Sequence, residues 1–507
     1  MQSKLFITCA IIPAIIFIIS SAGLHAAVLS DNVSGNIASY DTENEIRDSG
    51  IRPYHINPWY WEYNEEPVML IGASDRDNLW QWTGETLTKH LDLIKSVGGN
   101  FVRNTMSDRN EGDTYAPKEV EDGLYDLEQW NEEYWNKLRY FLDETHRRSI
   151  FVQITLWDWF DLTGGDDYGR FAVHPLNPAN NITWETGTIE NSRDYYGGSL
   201  SDDNEPVLKY QHRYIEKLIS ITSQYDHILY NIGNESSLSA GWDLHWSGYI
   251  QQVAAEYGRQ IHVTTMLFAP ETSVRRVMTY RDDFSFIEVS QNNQDALGPR
   301  SGKQHWENLL YWREIILAQG LGPMPINNEK VYGQGVGTNT AAGSQRDAVE
   351  RMWRNLFGGA AATRFHRPAF GYDVEGGWGI GISEPAQQTL RAMNMFLNEF
   401  DLFNAVPFRG CETVGNSVDS YCLADIGNAY AVYFPGGRAT VHLDPWVHAD
   451  RVAIKWLDVA SLRWSEEEIV EPVWDDFDGT DWWGPQRILT LAPGNHRSYV
   501  AVIKVIE

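Results

Sequence analysis

The sequence has few cysteines, little positive charge and none of several common catalytic motifs. It contains 3 Cys in 507 residues, and 40 Lys and Arg stand against 69 Asp and Glu, a formal net charge of −29. Binding a phosphate backbone requires clustered Lys and Arg, so this composition argues against a nucleic-acid-binding protein. The His-Glu-x-x-His pair, the P-loop, the dinucleotide-binding fingerprint and Gly-x-Ser-x-Gly are absent from the sequence. We therefore predict no cofactor and no metal ion.

Long hydrophobic runs are also scarce. The run at the N-terminus, Leu5–Ile19, is followed by small residues as far as Ala27, which is the layout of a secretory signal peptide over residues 1–26. No other segment of the sequence approaches the ~18 unbroken apolar residues of a membrane-spanning helix. We expect a mature protein that is secreted or periplasmic and has no membrane span.

Two cysteines remain after removal of that segment, because Cys9 lies inside it. Cys411 and Cys422 form an even pair in a predicted exported protein, and such a pair favours a disulfide. Two free thiols are the alternative.

The rest of the chain predicts an α/β protein with two folded domains. After a flexible lead-in over residues 27–52, apolar runs alternate with helical patterns through residues 53–402. This alternation predicts a parallel (β/α)8 TIM barrel, with strands that begin near Pro67, Asn100, Ile150, His227, Ile261, Phe284, Met324 and Ala360. From residue 403 to 507, short alternating runs separated by Gly, Pro and Asp turns predict a small antiparallel β-sandwich.

Two glutamates end predicted barrel strands. Glu235 closes strand four, and Glu329 follows an apolar lead-in in strand seven. The carboxyl ends of barrel strands face the pocket built by the βα loops, so these side chains can meet across the barrel mouth. Hydrolysis of a glycosidic bond uses two carboxyl groups, one protonated and one ionised. We predict the two glutamates as a catalytic pair; a helix cap or a solvated turn is the alternative for the Asn-Glu dipeptide alone.

The segment Asn231–Glu235, together with the glutamate that ends strand seven, resembles clan A of the glycoside hydrolases over residues 53–402. The resemblance implies that Glu235 is the acid/base and Glu329 the nucleophile. It also implies that Asn234 holds the 2-hydroxyl of the sugar.

The resemblance extends to an arginine at the end of strand two, here Arg103, which commonly orients the nucleophile. A structural ion pair is the alternative for this residue. The appended sandwich and the segment His174–Pro178 are further similar to apiosidase-like bacterial members. Where many clan members carry a tyrosine ending strand six and a tryptophan ending strand eight, this chain has Ser290–Asn292 and Arg364–Arg367. Sugar specificity is therefore not carried over.

Other candidates for substrate binding share a position after the carboxyl end of a predicted strand: Asp75, Trp157, Asp158, Gln291, Arg364, His366 and Trp378. For Asp75, Trp157 and Asp158, which follow strands one and three, the alternatives are capping and packing. The basic trio after strand eight, Arg364, His366 and Arg367, would suit an acidic or sulfated sugar, with a salt-bridged barrel rim as the alternative. The tryptophan lies in a Gly-rich loop, for which an ordinary surface loop is the alternative.

These patterns predict a secreted retaining glycoside hydrolase. It would cleave a β-glycosidic bond in a polysaccharide or oligosaccharide by double displacement with two glutamates. One alternative is a polysaccharide lyase, in which Tyr, His or Lys would act as the base. The other is a non-catalytic carbohydrate-binding protein, in which the glutamates only hydrogen-bond to the sugar.

Overall fold

The fold is described from a computed structural model, which covers residues 50–159, 162, 170–201, 203–289, 304–333, 343–368, 379–409, 420–436, 441–442, 450–475, 486–489, 491 and 497–506. Within these residues, no helix combines the length and apolarity needed to cross a bilayer. The predicted signal peptide and nearly all of the predicted lead-in lie outside them. Cys411 lies outside them as well, so its disulfide with Cys422 stays a prediction.

Eight parallel strands form a barrel. In chain order they are β1 (Leu70–Ala73), β2 (Phe101–Thr105), β3 (Phe151–Trp157), β4 (Ile228–Ser236), β5 (Val263–Leu267), β6 (Ile287–Glu288), β7 (Ile326–Val331) and β8 (Ala362–Phe365). Hydrogen bonds join them in the order β5-β4-β3-β2-β1-β8-β7-β6. The ring closes between β5 and β6, where the backbone N–H of Ser285 donates to the carbonyl of Val263 at 2.9 Å. The predicted TIM barrel is confirmed.

A long helix follows each strand. The helices are α1 (Gly84–Ser96), α2 (Glu132–Arg147), α3 (Glu205–Thr222), α4 (Ala240–Glu256), α5 (Pro270–Thr279), α6 (Gln304–Ala318), α7 (Gln345–Phe357) and α8 (Glu384–Leu397). Helix α1 buries Leu87, Leu91 and Ile94, which form the apolar stripe expected from their spacing. The burial of such stripes holds the helices against the outside of the barrel.

The N-terminal end of the barrel is closed by an apolar floor. A small antiparallel sheet precedes β1 and consists of Arg52–Pro53, Trp61–Tyr63 and Glu66–Val68. It places Trp61 in the barrel, where the indole packs 5.2 Å from the ring of Phe286 and donates to Asn327 Oδ1 at 3.0 Å. Ile51 was predicted to lie in the flexible lead-in, but it is buried in the same floor.

Above this floor the barrel interior is polar. Asn327 donates to Gln153 Oε1 at 3.0 Å, and the amide nitrogen of Gln153 donates to Glu288 Oε2 at 3.2 Å and to Glu329 Oε2 at 2.7 Å. Branched apolar side chains usually fill this space, and buried polar groups are costly without partners. The interior amides thus form a paired stack that leads up to the carboxyl ends of the strands.

Two long connections lie on the side of the predicted substrate entrance. The β2–α2 connection contains a hairpin, Pro117–Glu121 and Leu124–Trp130. The described part of the β3–α3 connection contains four short helical segments, Phe171–Val173, Pro178–Asn180, Asp194–Gly198 and Ser199–Ser201. The described part of this second insertion is folded onto the barrel, because Tyr195 and Tyr196 are buried.

Antiparallel sheets follow the barrel. One contains Val406–Phe408, Tyr421–Asp425, Ala429–Phe434, Tyr499–Ile506, Arg451–Asp458, Arg463–Trp464 and Glu468–Val470, and the other contains Val441–His442, Gln486–Leu489 and Val473–Asp475. The predicted β-sandwich is confirmed. Tyr433 stacks on Trp353 of α7 with 5.3 Å between ring centroids, and Arg354 donates to Tyr421 Oη at 2.9 Å. These contacts hold the sandwich against the outer surface of the barrel.

The start of α7 offers a test of this local structure. The Ser344 hydroxyl accepts from the backbone of Asp347, whose carboxylate accepts from the Ser344 backbone at 2.7 Å. Ser344→Ala should therefore lower the free energy of unfolding by about 1 kcal/mol. Ser383 precedes α8 without a side-chain capping bond, so Ser383→Ala is the matched control. Urea denaturation of both variants measures the difference; equal losses would contradict the capping role of Ser344.

Candidate active site

Glu329 and Lys330 are neighbours on β7, and both side chains lie inside the barrel. Glu329 contacts β2 and β3 residues, whereas Lys330 Nζ donates to Asn234 Oδ1 at 2.8 Å and to Glu235 Oε1 at 2.6 Å. Successive side chains of a regular strand point to opposite faces. The register of β7 against β8 shifts between Asn328 and Val331, and such a bulge re-aims side chains. The bulge therefore brings both charges to the mouth.

Glu235 lies at a second irregularity, on β4. The register of β4 against β5 shifts there, and Glu235 has a φ of 50°, in the left-handed region. Non-glycine residues with this conformation are uncommon and cluster at functional sites. Its side chain keeps 12% of its surface exposed, whereas Glu329 keeps 0%. Glu235 thus stands at the edge of the mouth and Glu329 beneath it.

Asn234 connects the surroundings of the two glutamates. Its Oδ1 accepts from Lys330, which contacts Glu235, and from Arg103 Nη2 at 2.7 Å. The Nε of Arg103 lies 2.8 Å from Glu329 Oε1. The predicted acid/base, asparagine, arginine and nucleophile positions are therefore brought into one network at the carboxyl ends of the strands.

Asp77 is the main buried anion of this network, and it was not among the residues predicted from the sequence. It accepts from Arg103 at 3.0 Å, from Arg364 at 3.0 Å and from Arg367 at 2.9 Å. Burial alone would raise the pKa of Asp77, but the charges of these arginines hold it well below its usual value. One ionised carboxylate thus fixes three guanidinium groups.

Burial and charge act in opposite directions on the central pair. Burial raises the pKa of Glu329, against the charges of Arg103 and Lys330, and burial lowers the pKa of Lys330, against the charge of Glu235. Burial would lower the pKa of Arg103, but Glu329 and Asp77 outweigh it and raise that pKa. Since Arg103 keeps its charge at every relevant pH, its contact with Glu329 favours the ionised carboxylate near neutrality.

The formal charges of the cluster balance when every member is ionised. The cluster contains five acidic side chains, Asp77, Asp158, Glu235, Glu288 and Glu329, and five basic side chains, Arg103, Arg109, Lys330, Arg364 and Arg367. Each of them contacts at least one other of the ten or Gln153. Burial lowers the pKa of His366 well below its usual value, so this ring adds no charge. The near-neutral sum lets a densely charged interior remain buried.

The residues predicted after strands one and three have structural partners. Asp75 accepts from the backbone of Ile382 at 3.0 Å and so fastens the start of α8. Trp157 is buried, and its ring lies 5.1 Å from that of Trp246. These contacts correspond to the capping and packing alternatives. Asp158 instead belongs to the network, because it pairs with Arg109 and accepts from Asn234 at 3.0 Å.

The basic residues predicted after strand eight are also committed to protein partners. Arg364 is fully buried, pairs with Asp77 and donates to the carbonyl of Glu329 at 3.0 Å. His366 stacks on Tyr332 with ring centroids 4.6 Å apart. Arg364 therefore fits the alternative of a salt-bridged barrel rim. The contacts of Arg364 and His366 give no support to an acidic or sulfated substrate. Gln291 and Trp378 lie outside the described residues.

A small cavity lies beside the network. It has a volume of about 60 Å³ and is lined by Trp157, Asp158, Tyr195 and Tyr214 among others. A water molecule needs roughly 10–15 Å³ by this measure, and ligand pockets measure about 300–1,000 Å³. The cavity therefore suits a few waters. In the described residues of the mouth, no three His, Cys, Asp or Glu side chains are spaced to share a metal ion.

Several solved structures share this fold over nearly the whole chain. One is a glycoside hydrolase family 5 protein from Bacteroides vulgatus, which is 12% identical, covers 92% of this chain and 95% of its own, and has a TM-score of 0.59. Another is called a glycoside hydrolase. It is 10% identical, covers 92% of this chain and 98% of its own, and has a TM-score of 0.59. No family model and no curated protein matches the chain. The likeness shows a shared fold, and neither neighbour supports the narrower apiosidase-like similarity.

Proposed function

We propose that the protein is a retaining glycoside hydrolase, with Glu329 as nucleophile and Glu235 as acid/base. The observation that carries the proposal is the network in which Arg103 contacts both Glu329 and Asn234, while Lys330 contacts both Asn234 and Glu235. Fold neighbours described as glycoside hydrolases add support. The substrate class proposed is a β-linked polysaccharide or oligosaccharide.

The environments of the two glutamates suit different roles. A nucleophile must be ionised, and Arg103 favours that state of Glu329. An acid/base must reach the leaving oxygen and exchange its proton in both steps, and Glu235 has the exposed surface to do so. In the first step Glu329 forms a bond to the anomeric carbon while Glu235 protonates the leaving oxygen. In the second step Glu235 takes a proton from water, which displaces Glu329 and restores the original configuration.

Product analysis separates this proposal from its rivals. The purified protein is incubated with a panel of plant and marine glycans, and new reducing ends are measured together with ultraviolet absorbance. A hydrolase releases reducing ends without absorbance, whereas a lyase produces an absorbing unsaturated uronide. A binding protein retains glycan without releasing any product. For an active substrate, proton NMR of the first product should show the anomer of the starting linkage; the opposite anomer would contradict double displacement.

Lys330 should set the pH range of activity. Its ammonium lies 2.6 Å from Glu235 and favours the ionised carboxylate, whereas the first step needs a protonated acid. Lys330→Met should therefore move the basic limb of the pH dependence of kcat/KM upward by about 1 to 3 pH units. Lys455→Met removes a lysine that pairs with Glu399 and should leave the profile unchanged. An unmoved limb in Lys330→Met would contradict this role.

Export is part of the same proposal. It is supported by the apolar run Leu5–Ile19 and the small residues that follow it. Expression of the full chain in a host with a secretory pathway, followed by intact-mass measurement, tests it. The processed protein should begin near Ala27; a full-length product retained in the cytoplasm would contradict it.

A further inference from the structure

Three metal-ligating side chains meet at the N-terminal end of the barrel. His146 lies in the last turn of α2, and Asp226 and His227 immediately precede β4. Their ligand atoms lie within 4.8 Å of one another, and no other trio of this kind occurs among the described residues. Glu235 stands near the opposite end of β4, so this cluster is separate from the candidate active site.

The hydrogen bonds around His227 determine which ring nitrogen carries the proton. Thr145 Oγ1 lies 3.0 Å from His227 Nε2, and it also lies 2.9 Å from the carbonyl of Phe141 and 3.1 Å from that of Leu142. A threonine hydroxyl has one hydrogen, which these helix carbonyls use. Oγ1 must therefore accept from Nε2–H, and Nδ1 of His227 carries a free lone pair.

That lone pair has no partner among the described residues. His227 is 2% exposed, and its Nδ1 is buried without a hydrogen bond. Buried polar atoms in proteins are nearly always paired with protein, water or an ion. A second group that fixes the tautomer, as Thr145 does here, is the usual companion of a metal-binding histidine.

The spacing of the other two groups fits a small divalent cation. His146 Nε2 lies 3.4 Å from Asp226 Oδ1, close to the roughly 3.3 Å edge of a tetrahedron with Zn–N and Zn–O bonds of about 2.0–2.1 Å. His146 is half exposed, so its ring can turn and an ion can enter from solvent. Tyr63 donates to Asp226 Oδ1 at 2.9 Å and orients this carboxylate.

We propose that His146, Asp226 and His227 form a zinc-binding site, with Nδ1 of His227 as the buried ligand. Two imidazoles and one carboxylate are a donor set typical of Zn²⁺, and water completes the tetrahedron. The ion joins the end of α2 to the turn before β4. Since the N-terminal face of a TIM barrel serves stability, its role is to stabilise the native fold.

Calorimetric titration with zinc chloride tests the site on the full chain, purified without a histidine tag and stripped with a chelator. One ion should bind per chain, and zinc should raise the midpoint of thermal unfolding. Removal of an outer partner typically costs about 10- to 100-fold in affinity. Thr145→Val should weaken binding by this factor, and His146→Ala, which removes an exposed ligand, by more than about 100-fold.

A matched control is available at another histidine pair. The Nε2 atoms of His212 and His245 lie 3.1 Å apart on α3 and α4, so they offer zinc two further nitrogens. His245→Ala should leave the affinity and the thermal shift of the proposed site intact. The proposal is overturned if His146→Ala binds zinc like the unaltered chain, if His245→Ala abolishes the binding, or if no zinc binds.

Discussion

Replacing Glu329 by glutamine should lower turnover by about 10,000-fold or more, a loss typical of removing a catalytic nucleophile. The amide keeps the shape of the carboxyl group but cannot form a covalent bond to the anomeric carbon. Sugar binding and the fold should largely persist, because Arg103 keeps its ion pair with Asp77 at 3.0 Å. Initial rates on the best glycan, with far-ultraviolet circular dichroism of the same sample, measure both effects.

Glu288→Gln is the matched control for this experiment. Glu288 is also fully buried in the barrel and also accepts from the amide nitrogen of Gln153, at 3.2 Å. It has no chemical role in the proposed reaction, so this variant should keep its rate within about tenfold. Near-normal activity of Glu329→Gln would show that the role assignment is wrong. Equal losses in both variants would show that buried charge, and not nucleophilicity, limits the rate.

Asp77→Asn should lower the free energy of unfolding by about 3 to 5 kcal/mol, the usual loss when one member of a buried ion pair is removed. Three guanidinium groups, those of Arg103, Arg364 and Arg367, would lose their shared anion. Asp92→Asn is the control, since Asp92 is exposed and pairs with Arg148 at the surface. Asp92→Asn should lower the free energy of unfolding by less than about 1 kcal/mol. Urea denaturation followed by tryptophan fluorescence measures both, and similar midpoints would contradict the role of Asp77.

The unaltered chain and Asp77→Asn should differ in their free energy of unfolding. The pH dependence of this difference follows from the depressed pKa of Asp77. A carboxyl group with a lower pKa in the folded state stabilises the fold above its unfolded pKa, about 3.9 for Asp. This stabilisation is lost as the pH falls from the pKa of the unfolded state through the pKa of the folded state. The gap between the unaltered chain and Asp77→Asn should therefore be constant near neutrality and shrink below about pH 4. A gap that widens in acid would contradict the ionised state assigned to Asp77.

The barrel is predictable because its local signals are strong. Strand β3, Phe151–Trp157, contains five apolar residues among its seven, and the helices on either side carry apolar stripes at helical spacing. Polar residues end the strands, so the positions of Glu235 and Glu329 at the mouth follow from the fold. The contact of Arg103 with Glu329 agrees with what the resemblance implies for that arginine.

Lys330 could not be placed from the sequence, because regular alternation on β7 would turn it away from Glu329. A bulge changes that direction, and no glycine or proline within the strand marks it. The signal that was available is a lysine beside a glutamate in a strand that is otherwise apolar or amide-bearing. Gln153, in the middle of apolar β3, is a similar signal of a polar barrel interior.

Asp75 and Asp77 show a second limit of sequence reasoning. Both follow β1 within one polar run, and alternation alone does not say which carboxylate enters the barrel. The backbone after β1 directs Asp77 to three arginines, whereas Asp75 holds the backbone of Ile382. Such choices depend on long-range ion pairing, which the spacing of residues along the chain does not encode.

Covalent trapping tests the central assignment most directly. A 2-deoxy-2-fluoro glycoside of the preferred sugar, with a good leaving group, slows the second step of a retaining enzyme so that the glycosyl-enzyme accumulates. Peptide mass mapping after digestion should then locate one sugar on Glu329. A label on Glu235, on Glu288 or on no residue, with an otherwise active enzyme, would contradict the account.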